Sequence, residues 1–67
     1  MKLSYSPEDD ALVITLKAEP VSYGDEVSDN VIAHYSDKDE LVEIEILRAS
    51  SFFQKGTEVI VPEEAVI

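Results

Sequence analysis

The chain contains no cysteine, no tryptophan and only two glycines among its 67 residues. Without cysteine it can form neither a disulfide nor a thiolate zinc site. Gly24 and Gly56 stand far apart in the sequence, which argues against a phosphate-binding loop or a dinucleotide fingerprint. Stability must therefore come from apolar packing, either within one copy of the chain or between copies.

Basic residues are also few: five lysines and arginines stand against fifteen acids, which leaves a net charge of −10. Nucleic acids are bound by cationic side chains that displace counterions from phosphates, so we expect no nucleic-acid partner. Binding to an anionic membrane surface is disfavoured for the same reason. The negative field favours a small basic protein or a cation as partner, whereas the plainer interpretation is that acidity only confers solubility.

Long apolar runs are absent, since no segment approaches the ~20 residues of a membrane span. The N-terminus lacks the basic and apolar regions of a signal peptide, and a cytoplasmic location is the default expectation. The length leaves room for a single domain, residues 1–67. Apolar burial and chain entropy nearly cancel at this size, so we expect a homo-oligomer, most simply a dimer.

What the sequence does contain is two hairpin patterns, and the first spans residues 2–16. Apolar and polar residues alternate over 1–6, the turn residues Pro7-Glu8-Asp9-Asp10 follow, and 11–16 are rich in strand formers. A four-residue loop predicts the pairs Ser6–Ala11, Tyr5–Leu12 and Leu3–Ile14, with the apolar side chains on one face.

The second hairpin pattern spans residues 31–46 and has an acidic turn at Asp37-Lys38-Asp39-Glu40. The same loop length predicts an apolar face from the pairs Tyr35–Val42, Ala33–Ile44 and Val31–Ile46. On the reverse face it places His34 opposite Glu43 and Ile32 opposite Glu45.

The remaining segments are less regular. Residues 17–30 read as a linker in which 21–23 and Val27 could add brief pairing. Loss of alternation after Ile46, followed by Lys55-Gly56, predicts a short helix near 48–55 whose Ala49, Phe52 and Phe53 cover the sheet. Residues 57–62 suit a C-terminal edge strand, or Pro62 opens a final helical turn. The predicted fold class is α+β, an antiparallel β-meander of two hairpins with this helix packed on one face.

Two blocks of the sequence resemble a small prokaryotic family, the domain of unknown function 2283 family. Residues 3–16, LSYSPEDDALVITL, resemble its motif K-x-x-Y-D-P-E-x-D-A-L-Y-I-x-L. Residues 31–50 resemble its V-I-V-D-Y-D-x-x-G-x-x-V-G-I-E-I-L-x-A-S. The chain departs from the pattern at several positions, among them Ser6, His34, Ser36, Glu40, Glu43 and Arg48. The resemblance implies an α+β domain without an assigned activity, and an antitoxin role is hinted at because some members look to be encoded beside small basic toxin-like proteins.

Candidate chemical groups are few. The turns 37–40 and 8–10 lack the ligand spacing and the glycine of a calcium loop, so solvated turns are the better interpretation. His34 is expected to pair with Glu43, the alternative being a titrating contact at a dimer interface. Ser50 and Ser51 lack an acid–base partner and are expected to cap the helix.

No catalytic, cofactor-binding or metal-binding residue is therefore predicted, and we expect the protein not to be an enzyme. The leading hypothesis is a non-catalytic structural or interaction module that associates with itself. The alternative is an antitoxin-like binder of a small basic protein, which the −10 charge favours.

Overall fold

Five antiparallel strands in one sheet form most of residues 1–53, the part of the chain that this computed structural model describes. The strands are β1 (Lys2–Ser6), β2 (Ala11–Thr15), β3 (Tyr23–Ser28), β4 (Val31–Tyr35) and β5 (Leu41–Leu47). In space they follow the order β1-β2-β5-β4-β3, so β5 occupies the middle. Within the described residues, one 3-10 turn, Ala49–Ser51, follows β5.

The first hairpin has the predicted register. Ser6 lies opposite Ala11, Tyr5 opposite Leu12, and Leu3 opposite Ile14. The chain reverses over residues 7–10, where Asp10 takes a positive φ of 48°. Aspartate tolerates this left-handed backbone better than most residues because its short side chain can hydrogen-bond locally.

The second hairpin confirms four of the predicted pairs, namely Val31–Ile46, Ile32–Glu45, Ala33–Ile44 and His34–Glu43. The predicted pair Tyr35–Val42 is wrong, because the register shifts and Tyr35 lies opposite Leu41. Such a shift leaves one extra residue on one strand of the pair. The Val42 carbonyl accepts the backbone N–H groups of Leu16 at 2.8 Å and Lys17 at 3.2 Å, so the shifted segment also secures the end of β2.

The predicted linker contains a strand. Within residues 17–30, β3 pairs with β4 and forms one edge of the sheet, with a register shift between Glu26 and Ser28. The predicted β-meander therefore has the wrong strand order, because β2 pairs with β5 and β3 lies on the far side of β4. Sequence patterning missed β3 because all six of its residues are exposed, and an exposed strand lacks the alternation of a half-buried one.

The α+β class is wrong as well, since the described residues are all-antiparallel β with one 3-10 turn. In place of the helix predicted near 48–55, Arg48 adopts a left-handed backbone, and Ser51 and Phe52 donate to carbonyls three residues earlier. Two of the residues expected to cover the sheet, Phe52 and Phe53, are exposed. Residues 54–55 and the C-terminal strand or helical turn predicted within 57–67 lie outside the described residues.

The buried apolar residues of the described chain are small. They comprise Ala11, Ala33, Val42 and Ala49, and the buried polar residue is Ser36. The Ser36 hydroxyl accepts the backbone N–H groups of Lys38 and Glu40, which satisfies the turn between β4 and β5. No described leucine or isoleucine is fully buried, so one copy of the sheet does not provide a full apolar core.

Val42 is only 1% exposed, so we expect Val42→Ala to lower the free energy of unfolding by about 2 kcal/mol through lost burial and an unfilled cavity. Val27, on β3, is 64% exposed, and Val27→Ala is the matched control, expected to stay within about 0.5 kcal/mol of the wild type. Urea denaturation at one fixed protein concentration measures both. Equal losses in the two variants would contradict the placement of Val42 in the core.

Candidate interaction surface

The strand registers bring aliphatic residues from four strands onto one face of the sheet. One row across the strands is Leu3–Ile14–Ile44–Ala33, and the next is Tyr5–Leu12–Ile46–Val31. Directly paired residues project to the same side of a sheet, and so do residues two positions apart along one strand. The two rows therefore lie next to each other on the same face. We call these eight residues the apolar face.

The apolar face is only partly buried within one copy of the chain. Ala33 is buried, Tyr5 is 49% exposed, and the other six side chains are half-buried. Singly scattered apolar residues are ordinary on a protein surface, but a contiguous patch of this kind marks a place where something packs.

The reverse side of the sheet carries charged and polar residues together with the aliphatic Val13 and Ile32. Its cross-strand rows hold Lys2, Thr15, Glu43 and His34, and then Ser4, Val13, Glu45, Ile32 and Glu26, which together we call the charged face. His34 Nε2 lies 3.0 Å from Glu45 Oε1 and donates to it, since a carboxylate can only accept. The side chain predicted to pair with His34, that of Glu43, lies directly opposite it, yet the hydrogen bond goes to the diagonal neighbour.

Gly24 makes room for the imidazole. A Cβ at this position would lie 3.1 Å from His34 Nδ1 and 3.3 Å from Ile32 Cγ2. The glycine of β3 thus lets His34 lie against the edge strand. A partly exposed His–Glu pair of this kind contributes little to stability, on the order of 0.5 kcal/mol. The alternative of a titrating His34 contact between copies stays a prediction.

Asp10 joins the first turn to the chain segment that follows β5. Its Oδ1 accepts the Tyr5 hydroxyl at 2.6 Å and the Ser50 backbone N–H at 3.1 Å, and its Oδ2 accepts the Ser50 hydroxyl at 2.6 Å. Its carbonyl accepts the Ala49 backbone N–H at 2.9 Å. The bonds from Ser50 and then Tyr5 stabilise the ionised form and lower the pKa of the Asp10 carboxyl.

The second hairpin repeats the tyrosine–aspartate pairing with a partner from β3. The Tyr23 hydroxyl donates to Asp39 Oδ1 at 2.6 Å, and this bond, followed by burial, raises the Tyr23 pKa to about 12. Asp39 also has a left-handed backbone, with φ 62°. The Tyr23 ring stacks on Tyr35 with centroids 5.2 Å apart. These contacts attach the edge strand to the second turn.

The serines have a structural role other than the predicted one. They do not cap a helix; Ser50 bonds to Asp10, and the Ser51 hydroxyl donates to the Arg48 carbonyl at 2.7 Å. The acidic turns are likewise engaged, since Ser6 donates to Asp9 at 3.3 Å and Lys17 forms an ion pair with Glu40 at 2.9 Å. Among residues 1–53, no group of three or more histidine or acidic side chains could hold a metal ion.

A groove of about 570 Å³ lies between the segment that precedes β3 and the turn that follows β4. It is lined by Glu19, Pro20, Val21, Ser22, Ser36, Asp37 and Lys38. All of these except Ser36 are exposed, and Ser36 already bonds within its own turn. Sequence reasoning did not identify this groove, because it depends on the placement of β3. The described residues contain no helix long and apolar enough to cross a membrane.

Comparison with known proteins places the chain in a family and gives no further likeness. Residues 2–50 match the model of the family described as Protein of unknown function (DUF2283). The match confirms the resemblance that residues 3–16 and 31–50 predicted. No curated protein and no solved structure matches the chain.

The hydrogen bonds to Asp10 predict a specific acid sensitivity. Because its folded pKa is lowered, its contribution to stability is complete above the unfolded value, about 4, and disappears as the pH falls through the folded pKa. We expect the melting temperature of the wild type to exceed that of Asp10→Asn at pH 7, and the difference to shrink toward pH 2.5. Asparagine preserves the left-handed backbone.

Asp9→Asn is the control for this pH series, because Asp9 accepts only the Ser6 hydroxyl among the described side chains. We expect its melting temperature to follow that of the wild type at every pH. A difference between wild type and Asp10→Asn that stays constant from pH 7 to pH 2.5 would show that the carboxylate is not the stabilising group.

Proposed function

Because this chain belongs to the family described as Protein of unknown function (DUF2283), which has no assigned activity, we propose a function from its structure. We propose that the protein is a non-catalytic interaction module that associates with itself. The apolar face carries this proposal. We further propose that it acts in the cytoplasm.

The half-buried side chains of the apolar face support self-association. Burying an aliphatic side chain contributes on the order of 2 kcal/mol, and the described residues of one copy leave six of them partly in water. A small sheet with one open apolar face gains stability from any layer that covers that face. A second copy supplies such a layer without any other component.

The hydrogen bonding of the potential catalytic groups supports a non-catalytic role. Ser50 bonds to Asp10, Ser36 bonds to its own turn, and His34 bonds to Glu45. Among residues 1–53, no hydrogen bond joins one of these serines to the histidine, which is the arrangement that an activated nucleophile requires. These groups stabilise turns and strands.

Sedimentation equilibrium of the full chain over a wide concentration range tests self-association. We expect the average mass to rise from the monomer value of 7.4 kDa toward twice that value, and the melting temperature to rise with concentration. A mass of 7.4 kDa at every concentration, with a constant melting temperature, would overturn the proposal.

A second candidate function, binding of a small basic protein, is supported by the distribution of acids. Asp25 and Glu26 on the exposed edge strand and Glu43 and Glu45 on the charged face add to the net charge of −10. Complementary charge accelerates encounter with a basic partner and weakens with added salt. This is the chemistry that an antitoxin-like role requires.

Co-expression with the neighbouring gene tests this second candidate, provided that the gene encodes a short basic protein. We expect the two proteins to copurify at low salt and to separate as the salt concentration rises. The doubly substituted Asp25→Asn, Glu26→Gln chain is expected to bind more weakly than the wild type. No complex at low salt would count against a basic partner.

A further inference from the structure

We propose that two copies of the chain pack with apolar face against apolar face, to form a two-layered β-sandwich. This inference rests on the proposed self-association and specifies the surface that mediates it. Isologous packing of this kind uses the same patch on both copies around a twofold axis. The two sheets would lie about 10 Å apart, with their strands roughly aligned.

The apolar face is uncharged across four strands. Between β1 and β4 its two rows contain only aliphatic residues and Tyr5, and the first charged residue of either row is Asp25 on β3. Ile14 and Ile44 lie on β2 and β5, in the middle of these four strands. In a twofold arrangement such central residues contact the same region of the other copy.

The charged face and the β3 edge are poor surfaces for a second copy. Pairing two charged faces would bring together Glu26, Glu43 and Glu45 from each chain, and like charges in contact destabilise a complex. Two β3 edges would bring together Asp25 and Glu26, the kind of residues that protect sheet edges from pairing. Pairing along the β1 edge would leave the apolar face of each copy in water.

Face-to-face packing also separates the net charges of the two copies. The charged faces point outward on opposite sides of the sandwich, separated by more than the ~10 Å between the sheets. This distance exceeds the screening length of about 8 Å at physiological ionic strength. Two chains of charge −10 can therefore associate without bringing the acids of their charged faces into contact.

A second copy fits the apolar face better than a short segment of the same chain. Residues 54–67 contain two short apolar runs, Val59-Ile60-Val61 and Ala65-Val66-Ile67, which are separated by Pro62, Glu63 and Glu64. One extended segment covers a width of about 4.8 Å, and four strands occupy about four such widths. A second sheet matches that width.

Paired substitutions on the two faces test the proposal by sedimentation equilibrium of the full chain. Ile44→Lys places a charge in the centre of the apolar face, and Ile32→Lys places the same charge beside Glu45 and Glu26 on the charged face. Both isoleucines are half-buried on neighbouring strands. We expect Ile44→Lys to raise the dimer dissociation constant at least about tenfold, and Ile32→Lys to change it less than about threefold.

A second pair of substitutions, on the edge strand β1, keeps the test decisive if the Ile44→Lys variant fails to fold. Leu3→Lys alters the apolar face and Ser4→Lys alters the opposite face, at adjacent positions of a strand that pairs with β2 alone. Far-ultraviolet circular dichroism checks that each variant is folded. We expect Leu3→Lys to weaken the dimer and Ser4→Lys to leave it intact.

The outcomes separate this inference from the function on which it rests. A wild-type dimer whose folded Ile44→Lys or Leu3→Lys variants retain the wild-type dissociation constant would show that the copies meet elsewhere, for instance along the β1 edge. Disruption by Ile32→Lys and Ser4→Lys would place the contact on the charged face. A wild type that is monomeric at every concentration would overturn the self-association itself.

Discussion

The pairing of β2 with β5 is the contact on which the rest of the structure depends. The first hairpin, β1–β2, and the second hairpin, β4–β5, each have two strands, and a two-stranded hairpin is marginally stable in water on its own. The ladder that places Leu12 opposite Ile46 and Ile14 opposite Ile44 joins them into one sheet. It also aligns their apolar rows, so two narrow apolar surfaces become one continuous face. Everything inferred about association follows from that alignment.

The turns do more than connect strands. Asp10 and Asp39 both adopt a left-handed backbone, and each accepts a hydrogen bond from a tyrosine hydroxyl. Asp10 also holds Ser50, which lies forty residues later in the sequence, and Asp39 holds the edge strand through Tyr23. Acids that composition alone assigns to solubility therefore stabilise the sheet at the β1–β2 turn and at the β4–β5 turn.

The distribution of charge and apolar surface limits how the molecule can interact. Acids lie on the charged face, in the turns and on the β3 edge, whereas the apolar face carries a continuous aliphatic surface without a charge. An apolar surface favours a like surface, and an acidic surface favours a basic partner. Self-association through one side and recruitment of a basic protein through the other are thus compatible, because they use different surfaces.

The sequence by itself determined the hairpins β1–β2 and β4–β5, most of their registers and the division of their residues between two faces. These features depend on the alternation of neighbouring residues and on turn chemistry, which are local properties. The family was also recognisable from residues 3–16 and 31–50, and residues 2–50 match its model.

Only the tertiary structure decided the strand order, the edge strand β3, the shifted register at Tyr35 and the 3-10 turn in place of a helix. Each depends on contacts between residues distant in sequence, such as Val42 with Leu16, Ser50 with Asp10, and Tyr23 with Asp39. The hydrogen bond from His34 to Glu45 was missed because a diagonal neighbour competes with the directly opposite Glu43. Local patterns predict which segments form hairpins, but long-range hydrogen bonds and packing decide how the hairpins and the segments between them assemble.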